Sequence, residues 1–155
     1  MLALSAGDYA LTLDPERGGA MLRFDWCGRP LAGCAQGPRN RALPSQDARW
    51  RGGWTIAART PRSATLLLHC TLDWTYVASQ AFVLDEDGLT MTLALVNLGR
   101  RALPADVAFD LALDEVDLVD RDDTARGPIL LAPGAVRSTS LRLRATAPLE
   151  LSYFG

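Results

Sequence analysis

The sequence predicts an all-β fold, an antiparallel β-sandwich, on three observations. Apolar and polar residues alternate with a period of two through most of the chain, as in strands that bury one face. The alternating segments are short and are separated by turn residues such as Asp14-Pro15 and Pro133-Gly134. The 3.6-residue periodicity of an amphipathic helix is nearly absent. Sandwiches and barrels built from antiparallel strands combine these properties.

The same pattern places the individual strands. We expect them near residues 8–13, 20–26, 65–74, 78–84, 89–96, 104–114, 129–132 and 139–145. Residues 85–88, Asp-Glu-Asp-Gly, have the composition of a hairpin turn. Two stretches lack alternation. Residues 32–51 are rich in Gly, Pro, Arg and Asn and predict a long irregular excursion, and the acidic residues 114–123 predict a solvated loop.

Strand parity then assigns the core. Successive side chains of a strand point to opposite faces, so each strand contributes every second residue to the interior. The predicted core residues are Leu66, Leu68, Cys70, Leu72 and Trp74 in one strand, Leu89, Met91, Leu93 and Leu95 in the next, and Val107, Phe109, Leu111 and Leu113 in a third.

Length and charge restrict the class of protein. At 155 residues, with 48% apolar and 22% charged residues, the chain is expected to form a single domain, residues 1–155. A net charge of −2 provides no overall basic field, so we expect no nucleic-acid partner. No run of about 18 apolar residues occurs, so we expect no membrane partner.

The chain lacks the sequence signatures of a cofactor or metal protein. It has no phosphate-binding loop and no dinucleotide fingerprint, and three cysteines with one histidine make a structural zinc site improbable. We therefore expect no cofactor and no metal. The first residues lack the basic-then-apolar pattern of a secretory signal, and the odd number of cysteines suits reduced thiols, so we expect a cytoplasmic protein.

Few residues could support acid–base chemistry. His69 is the single histidine, and it lies on the face opposite Leu66, Leu68 and Cys70. A structural or surface role is the simpler interpretation, but a proton-transfer pair forms if His69 faces Asp110 or Asp73 across strands. Asp106, Asp110 and Asp114 share one strand face, where cross-strand ion pairs with Arg142 and Arg144 are the alternative to catalysis.

Three segments resemble the aldose 1-epimerase, or galactose-mutarotase-like, family. The first is Pro15-Glu16-Arg17-Gly18-Gly19, similar to the "pelGG" turn of that family. The second runs from Trp74 through Gln80 to Asn97 and Pro104, similar to the family's "WPYxYxAxQxFxLxxxGL" region and the Asn and Pro that follow it. The third is Leu130 to Gly134, similar to the final "LxPG" hairpin. The resemblance implies a truncated galactose-mutarotase-like supersandwich that lacks a long segment before its last hairpin.

The resemblance also implies where catalysis would lie. Aldose 1-epimerases interconvert sugar anomers with an acid at the ring oxygen and a base at the anomeric hydroxyl, supplied mostly by two His and one Glu. One family His aligns with Asp110, and the segment of the other resembles residues 50–54, which contain no His. The Glu belongs to the missing segment. The chain is therefore expected to be a catalytically degenerate relative.

A substrate-contact motif of the family is retained. Pro38-Arg39-Asn40-Arg41 resembles its "PxxNR", so the resemblance implies that Asn40 and Arg41 bind a sugar. A guanidinium can bind vicinal hydroxyls at two points, and Trp54 could provide an apolar platform for a sugar face. The alternative is that Arg41 is a surface residue and Trp54 closes one end of the sandwich.

Three functions remain open from the sequence. The first is a carbohydrate-binding, catalytically degenerate epimerase-like protein, with Arg41, Trp54 and Asp110 near one another on a concave polar face. The second is an active aldose 1-epimerase that uses His69 and Asp110 as an unusual acid–base pair. The third is a non-catalytic structural or interaction module, in which a homodimer covers the sheet edge that a shortened sandwich exposes.

Overall fold

The computed structural model describes residues 1–33, 36–109, 111–113, 116–121 and 127–146. The strands are β1 Leu2–Ala6, β2 Tyr9–Asp14, β3 Ala20–Trp26, β4 Arg29–Gly33, β5 Arg39–Asn40, β6 Thr55–Thr60, β7 Ser63–Cys70, β8 Tyr76–Asp85, β9 Gly88–Asn97, β10 Leu103–Ala105, β11 Val107–Ala108, β12 Ala112–Leu113, β13 Val116–Arg121, β14 Ile129–Leu131 and β15 Val136–Ala145. The helical elements are a single turn, α1 Asp47–Trp50, and two 3-10 turns, Pro15–Arg17 and Pro44–Gln46.

Two antiparallel sheets form the sandwich. One has the order β1-β2-β3-β4-β12 and the other β13-β15-β9-β8-β7-β6, and the short pairs β10–β14 and β5–β11 lie beside them. All observed pairings are antiparallel, so the predicted fold class is confirmed. No helix among the described residues has the length and apolar character that crossing a membrane requires.

The core lies between the two sheets and follows the predicted parity. From the larger sheet, Leu66, Leu68 and Cys70 of β7 and every second residue of β9 are buried. The smaller sheet contributes Leu11 and Phe24, and the Tyr9 ring stacks on Phe24 with centroids 5.6 Å apart. Buried alternation in both sheets explains why period-two patterning predicted the interior well.

The predicted strand 65–74 is too long at its end. β7 ends at Cys70, and Asp73 has a left-handed backbone with φ of 64°, which no strand can contain. The chain therefore turns before β8, and Leu72 is 59% exposed instead of buried. Trp74 is half-buried and packs on the margin of the core.

The predicted strand 104–114 was also wrong as a single element. It is divided into β10, β11 and β12, which pair with β14, β5 and β4 respectively. Val107 is buried as predicted, while Phe109 and Leu111 are half-buried against the core. Alternation alone cannot reveal the division between β10 and β11, because both pieces keep the same parity, with Leu103, Ala105 and Val107 buried.

The acidic stretch predicted as a loop contains a strand. β13 pairs with β15 and extends the larger sheet, with a register shift between Leu118 and Asp120. The excursion predicted over residues 32–51 is largely irregular, but it contains the end of β4, β5, α1 and one 3-10 turn. Acidic residues disfavour a strand only weakly when they lie at a sheet edge.

Arg142 of β15 makes an ion pair that the sequence did not indicate. Its guanidinium donates to both carboxylate oxygens of Asp85 at 3.1 Å and to the Thr90 hydroxyl at 2.8 Å. Partial burial acts to raise the pKa of Asp85, but the backbone N–H of Asp87 and the Arg142 guanidinium outweigh it and lower that pKa. Of the aspartates predicted to pair with Arg142, Asp106 pairs with Arg41 instead, and Asp110 and Asp114 lie outside the described residues.

We expect Asp85→Asn to lower the free energy of unfolding at neutral pH by up to about 1 kcal/mol, since the pair is partly exposed. Because the folded-state pKa of Asp85 is depressed, its stabilisation is present above the unfolded pKa of about 3.9 and is lost as pH falls through the folded value. Urea unfolding at neutral and acidic pH checks this. The exposed Asp87→Asn is the control, and a wild-type advantage over Asp85→Asn that persists in acid would contradict it.

Candidate functional site

Asn40 holds together the loop in which the retained sugar-contact motif lies. Its side chain is 2% exposed, and its amide donates to the Pro104 carbonyl at 2.9 Å. Its side-chain oxygen accepts from the backbone N–H groups of Asp106 at 2.8 Å and Ala42 at 3.2 Å. The Asn40 amide therefore joins β5 to the segment between β10 and β11, and the role of Asn40 in sugar binding stays a prediction.

Arg41 and Asp106 form the polar surface of this loop. A guanidinium nitrogen of Arg41 lies 3.1 Å from a carboxylate oxygen of Asp106, and the Arg41 backbone N–H donates to the Asp106 carbonyl at 2.9 Å. The Arg41 side chain is 50% exposed and that of Asp106 is 16% exposed. A half-exposed cation and a largely covered carboxylate are thus fixed side by side, with the free edge of the guanidinium open to solvent.

Trp54 is a core residue in this structure. It is 3% exposed, its indole N–H donates to the Trp50 carbonyl at 2.8 Å, and its ring meets that of Trp50 edge-on at 5.5 Å. These are the contacts of the alternative that the sequence left open, in which Trp54 closes the interior. A platform for a sugar requires a ring face exposed to solvent, and the Trp54 ring is buried in this structure.

A buried polar network lies behind Trp54. The Trp50 indole N–H donates to the Tyr76 hydroxyl at 2.9 Å, and that hydroxyl and the Cys70 thiol both donate to the Gln46 side-chain oxygen, at 3.2 and 3.1 Å. Burial raises the pKa of Tyr76 well above its ordinary value, so its hydroxyl is a proton donor. The network fixes α1 and the preceding turn on the larger sheet.

The Gly18-Gly19 turn packs against the same region. The Gly18 N–H donates to the Gly52 carbonyl at 2.8 Å, and the Gly18 carbonyl accepts from the Gln80 amide at 3.0 Å. A Cβ at Gly37 would lie 1.7 Å from that carbonyl, so the chain before Arg39 approaches the turn as only glycine can. The "pelGG" turn therefore supports the segment that leads into Asn40 and Arg41.

The predicted catalytic pair is not brought together by any observed contact. His69 is exposed near the end of β7, where it lies opposite Val77 of β8. Asp110 lies outside the described residues. Within the part of the chain that the structure describes, no group of three His, Cys, Asp or Glu side chains is arranged to hold a metal ion.

Asp106 is the site residue whose function the sequence did not assign. It was placed on the strand face of Asp110 and Asp114, with Arg142 and Arg144 as partners, but it pairs with Arg41. A signal for this pairing existed, since Asn40-Arg41 and Pro104 both belong to motifs that resemble one family. Gln46 carried no signal, and the motif that contains Tyr76 did not indicate its partners, because a buried polar network depends on side chains distant in sequence.

Comparison with solved structures shows similarity over nearly the whole chain. The candidate aldose 1-epimerase b2544 from Escherichia coli K12 has a TM-score of 0.72 and 15% identity, covering 94% of this chain and 98% of its own. The Slr1438 protein from Synechocystis sp. PCC 6803 has a TM-score of 0.69 and 11% identity, covering 95% and 96%. A galactose mutarotase-like protein from Lactobacillus casei ATCC 334 has a TM-score of 0.59 and 12% identity, covering 88% and 63%.

These similarities define the fold as galactose mutarotase-like, as the sequence motifs implied. The chain spans nearly the full length of the first two structures, so the expected loss of a long segment does not apply to them, and it spans 63% of the third. No protein-family model and no curated protein matches the sequence. With identities of 11–15%, the comparisons establish the fold alone, and any activity has to be argued from the residues of this chain.

Proposed function

We propose that this chain is a carbohydrate-binding protein of aldose 1-epimerase-like fold that lacks the orthodox catalysis of that family. The observation that carries the proposal is the Arg41–Asp106 pair, held by the buried Asn40 in a motif similar to the family's substrate contact. A fold shared with a candidate aldose 1-epimerase and a galactose mutarotase-like protein supports a sugar as the ligand class.

The chemistry of the pair suits a diol. The guanidinium offers several N–H donors in one plane, and the adjacent carboxylate accepts hydrogen bonds from hydroxyls, so two vicinal hydroxyls can each find a partner. Binding requires little reorganisation, because Asn40 already fixes both backbones through Pro104 and Asp106. The ligand therefore replaces water at a preformed pair.

The proposed loss of catalysis rests on the acid and base groups that the chain offers. Anomer exchange needs an acid at the ring oxygen and a base at the anomeric hydroxyl, and the described site supplies one carboxylate already paired with an arginine. His69 is the single histidine of the sequence and lies exposed on β7. Neither sequence position that resembles a His site of the family contains a histidine: one is Asp110, and the other lies within residues 50–54.

We expect galactose or glucose to shift backbone amide resonances at residues 39–42 and 105–107, and Arg41→Gln to weaken binding by about tenfold or more, as for loss of a charged hydrogen bond. The measurement is an NMR titration with a polarimetric mutarotation assay on the same sample. Arg59→Gln is the matched control, since Arg59 is exposed on β6, away from β5 and β11.

Each outcome selects one function. Arg41-dependent binding without faster mutarotation supports the proposal. A rate increase abolished by Asp110→Ala would instead establish an active epimerase, the second hypothesis. The absence of both resonance shifts and a faster mutarotation would overturn sugar binding and favour an interaction module.

The hypothesis of an interaction module is supported by β6. This strand lies at the edge of the larger sheet, all six of its residues are exposed, and a second copy of the chain could pair with it.

A further inference from the structure

A pocket lies away from the β5–β11 loop. It has a volume of about 270 Å³ and is formed by the turn before β8, residues 73–75, and the turn after β9, residues 97–101. Its lining includes Trp74, Arg100 and Arg101. The proposed sugar site involves none of the residues that line this pocket, so the pocket requires its own explanation.

Asn97 makes one wall of this pocket rigid. It is 2% exposed, and its amide donates to the carbonyls of Arg101 and Leu131, both at 2.9 Å. Its side-chain oxygen accepts from the Gly99 N–H at 2.9 Å, and the Leu98 N–H donates to the Thr75 carbonyl at 3.0 Å. The turn is thereby fixed both to itself and to the facing turn before β8.

Arg101 is oriented by two contacts. Its guanidinium carbon lies 3.8 Å from the centroid of the Trp74 ring, within cation–π distance, and one guanidinium nitrogen donates to the Asp73 carbonyl. Stacking and a single hydrogen bond leave most of the five N–H donors of Arg101 available. Arg101 is therefore held in place while most of its hydrogen-bond donors stay available for a ligand.

Arg100 adds a second charge at the same turn. It is exposed, and its guanidinium has no hydrogen bond or ion pair with any residue that the structure describes. Asp73 also lines the pocket, in the left-handed backbone that reverses the chain there. Two guanidiniums and one carboxylate give the lining a net positive charge.

We propose that this pocket binds an oxyanion, a phosphate monoester or carboxylate group, between Arg100 and Arg101 beside the Trp74 indole. Arginine forks match the geometry of both oxyanions, and a guanidinium already oriented by stacking loses less entropy when it binds. The Asp73 carboxylate opposes anion binding and so limits the affinity. The site is independent of the proposed sugar site and stands without it.

The test is an NMR titration of the whole protein with sodium phosphate and, separately, sodium acetate, at matched ionic strength. We expect saturable shifts at the amides of residues 98–101. The double variant Arg100→Gln/Arg101→Gln should weaken binding by about tenfold or more, and Asp73→Asn should tighten it, because charge-assisted hydrogen bonds dominate such sites. Arg59→Gln should bind as the wild type does.

The outcomes distinguish the oxyanions and the site. Tighter binding of phosphate assigns the phosphate monoester class, and tighter binding of acetate assigns the carboxylate class. The single variant Arg100→Gln controls for misfolding of the double variant, because the Arg100 side chain makes no hydrogen bond or ion pair with a described residue. Equal binding by the double variant and the wild type, or an equal loss in Arg59→Gln, would overturn the proposal, as would the absence of any saturable shift.

Discussion

Gly37→Ala is expected to destabilise the fold by about 3 kcal/mol, because the added methyl group meets backbone instead of a movable side chain. The Cβ would lie 1.7 Å from the carbonyl oxygen of Gly18 and 2.6 Å from its carbonyl carbon. Gly18 cannot move away easily, because its N–H is bonded to Gly52 and its carbonyl to Gln80. The contact between Gly37 and the Gly18-Gly19 turn, just before Asn40, must therefore open.

Gly33→Ala is the matched control for this change. Gly33 ends β4, and a Cβ there would meet the Met21 carbonyl at 3.6 Å, an ordinary contact. We expect it to change stability by less than about 1 kcal/mol, with a gain in stability from the less flexible unfolded chain. Urea or thermal unfolding measures both variants. Equal stability of Gly37→Ala and Gly33→Ala would refute the close approach to Gly18.

Trp50→Ala is expected to cost about 3–5 kcal/mol, the usual range for truncating a buried large aromatic residue. Trp50 is 1% exposed, packs on the rings of Trp54 and Tyr76, and donates to the Tyr76 hydroxyl. Its backbone carbonyl still accepts from Trp54 in the variant, so the loss measures the side chain alone. Chemical denaturation gives the free energy directly.

Two companions separate packing from hydrogen bonding. Trp50→Phe keeps most of the aromatic volume but removes the donor to Tyr76, so we expect an intermediate loss of about 1–3 kcal/mol. Leu72→Ala alters a side chain that is 59% exposed and should change stability by less than about 0.5 kcal/mol. A cost for Trp50→Ala no greater than that of Leu72→Ala would show that the network is not part of the stable core.

The sequence predicted the central strands of the larger sheet better than the strand ends and the edge strand β13. Alternation identified β8 and β9 and the buried residues of β9, because a face that packs on a second sheet must be apolar at every second position. It missed the end of β7, since the left-handed Asp73 carries no apolar signal. It also missed β13, whose pairing with β15 depends on a partner distant in sequence.

The candidate site was predictable in part for a similar reason. Asn40 and Arg41 were found through a motif, and the structure shows which of the two is buried and which is open to solvent. Asp106 and the network around Gln46 depend on long-range contacts that no local pattern encodes. The pocket at Arg100 and Arg101 was not predicted, because the stacking of Arg101 on Trp74 joins two turns that are distant in sequence.

The order of strands in the larger sheet constrains how the chain acquires its structure. β6, β7, β8 and β9 are successive hairpin neighbours, so they can pair soon after they are synthesised. The next neighbour of β9 is β15, which pairs with it from Val136 opposite Val96 to Leu143 opposite Leu89. Until β15 leaves the ribosome, the free edge of β9 is a template for the wrong partner, and a nascent chain held there is the state in which aggregation competes with folding.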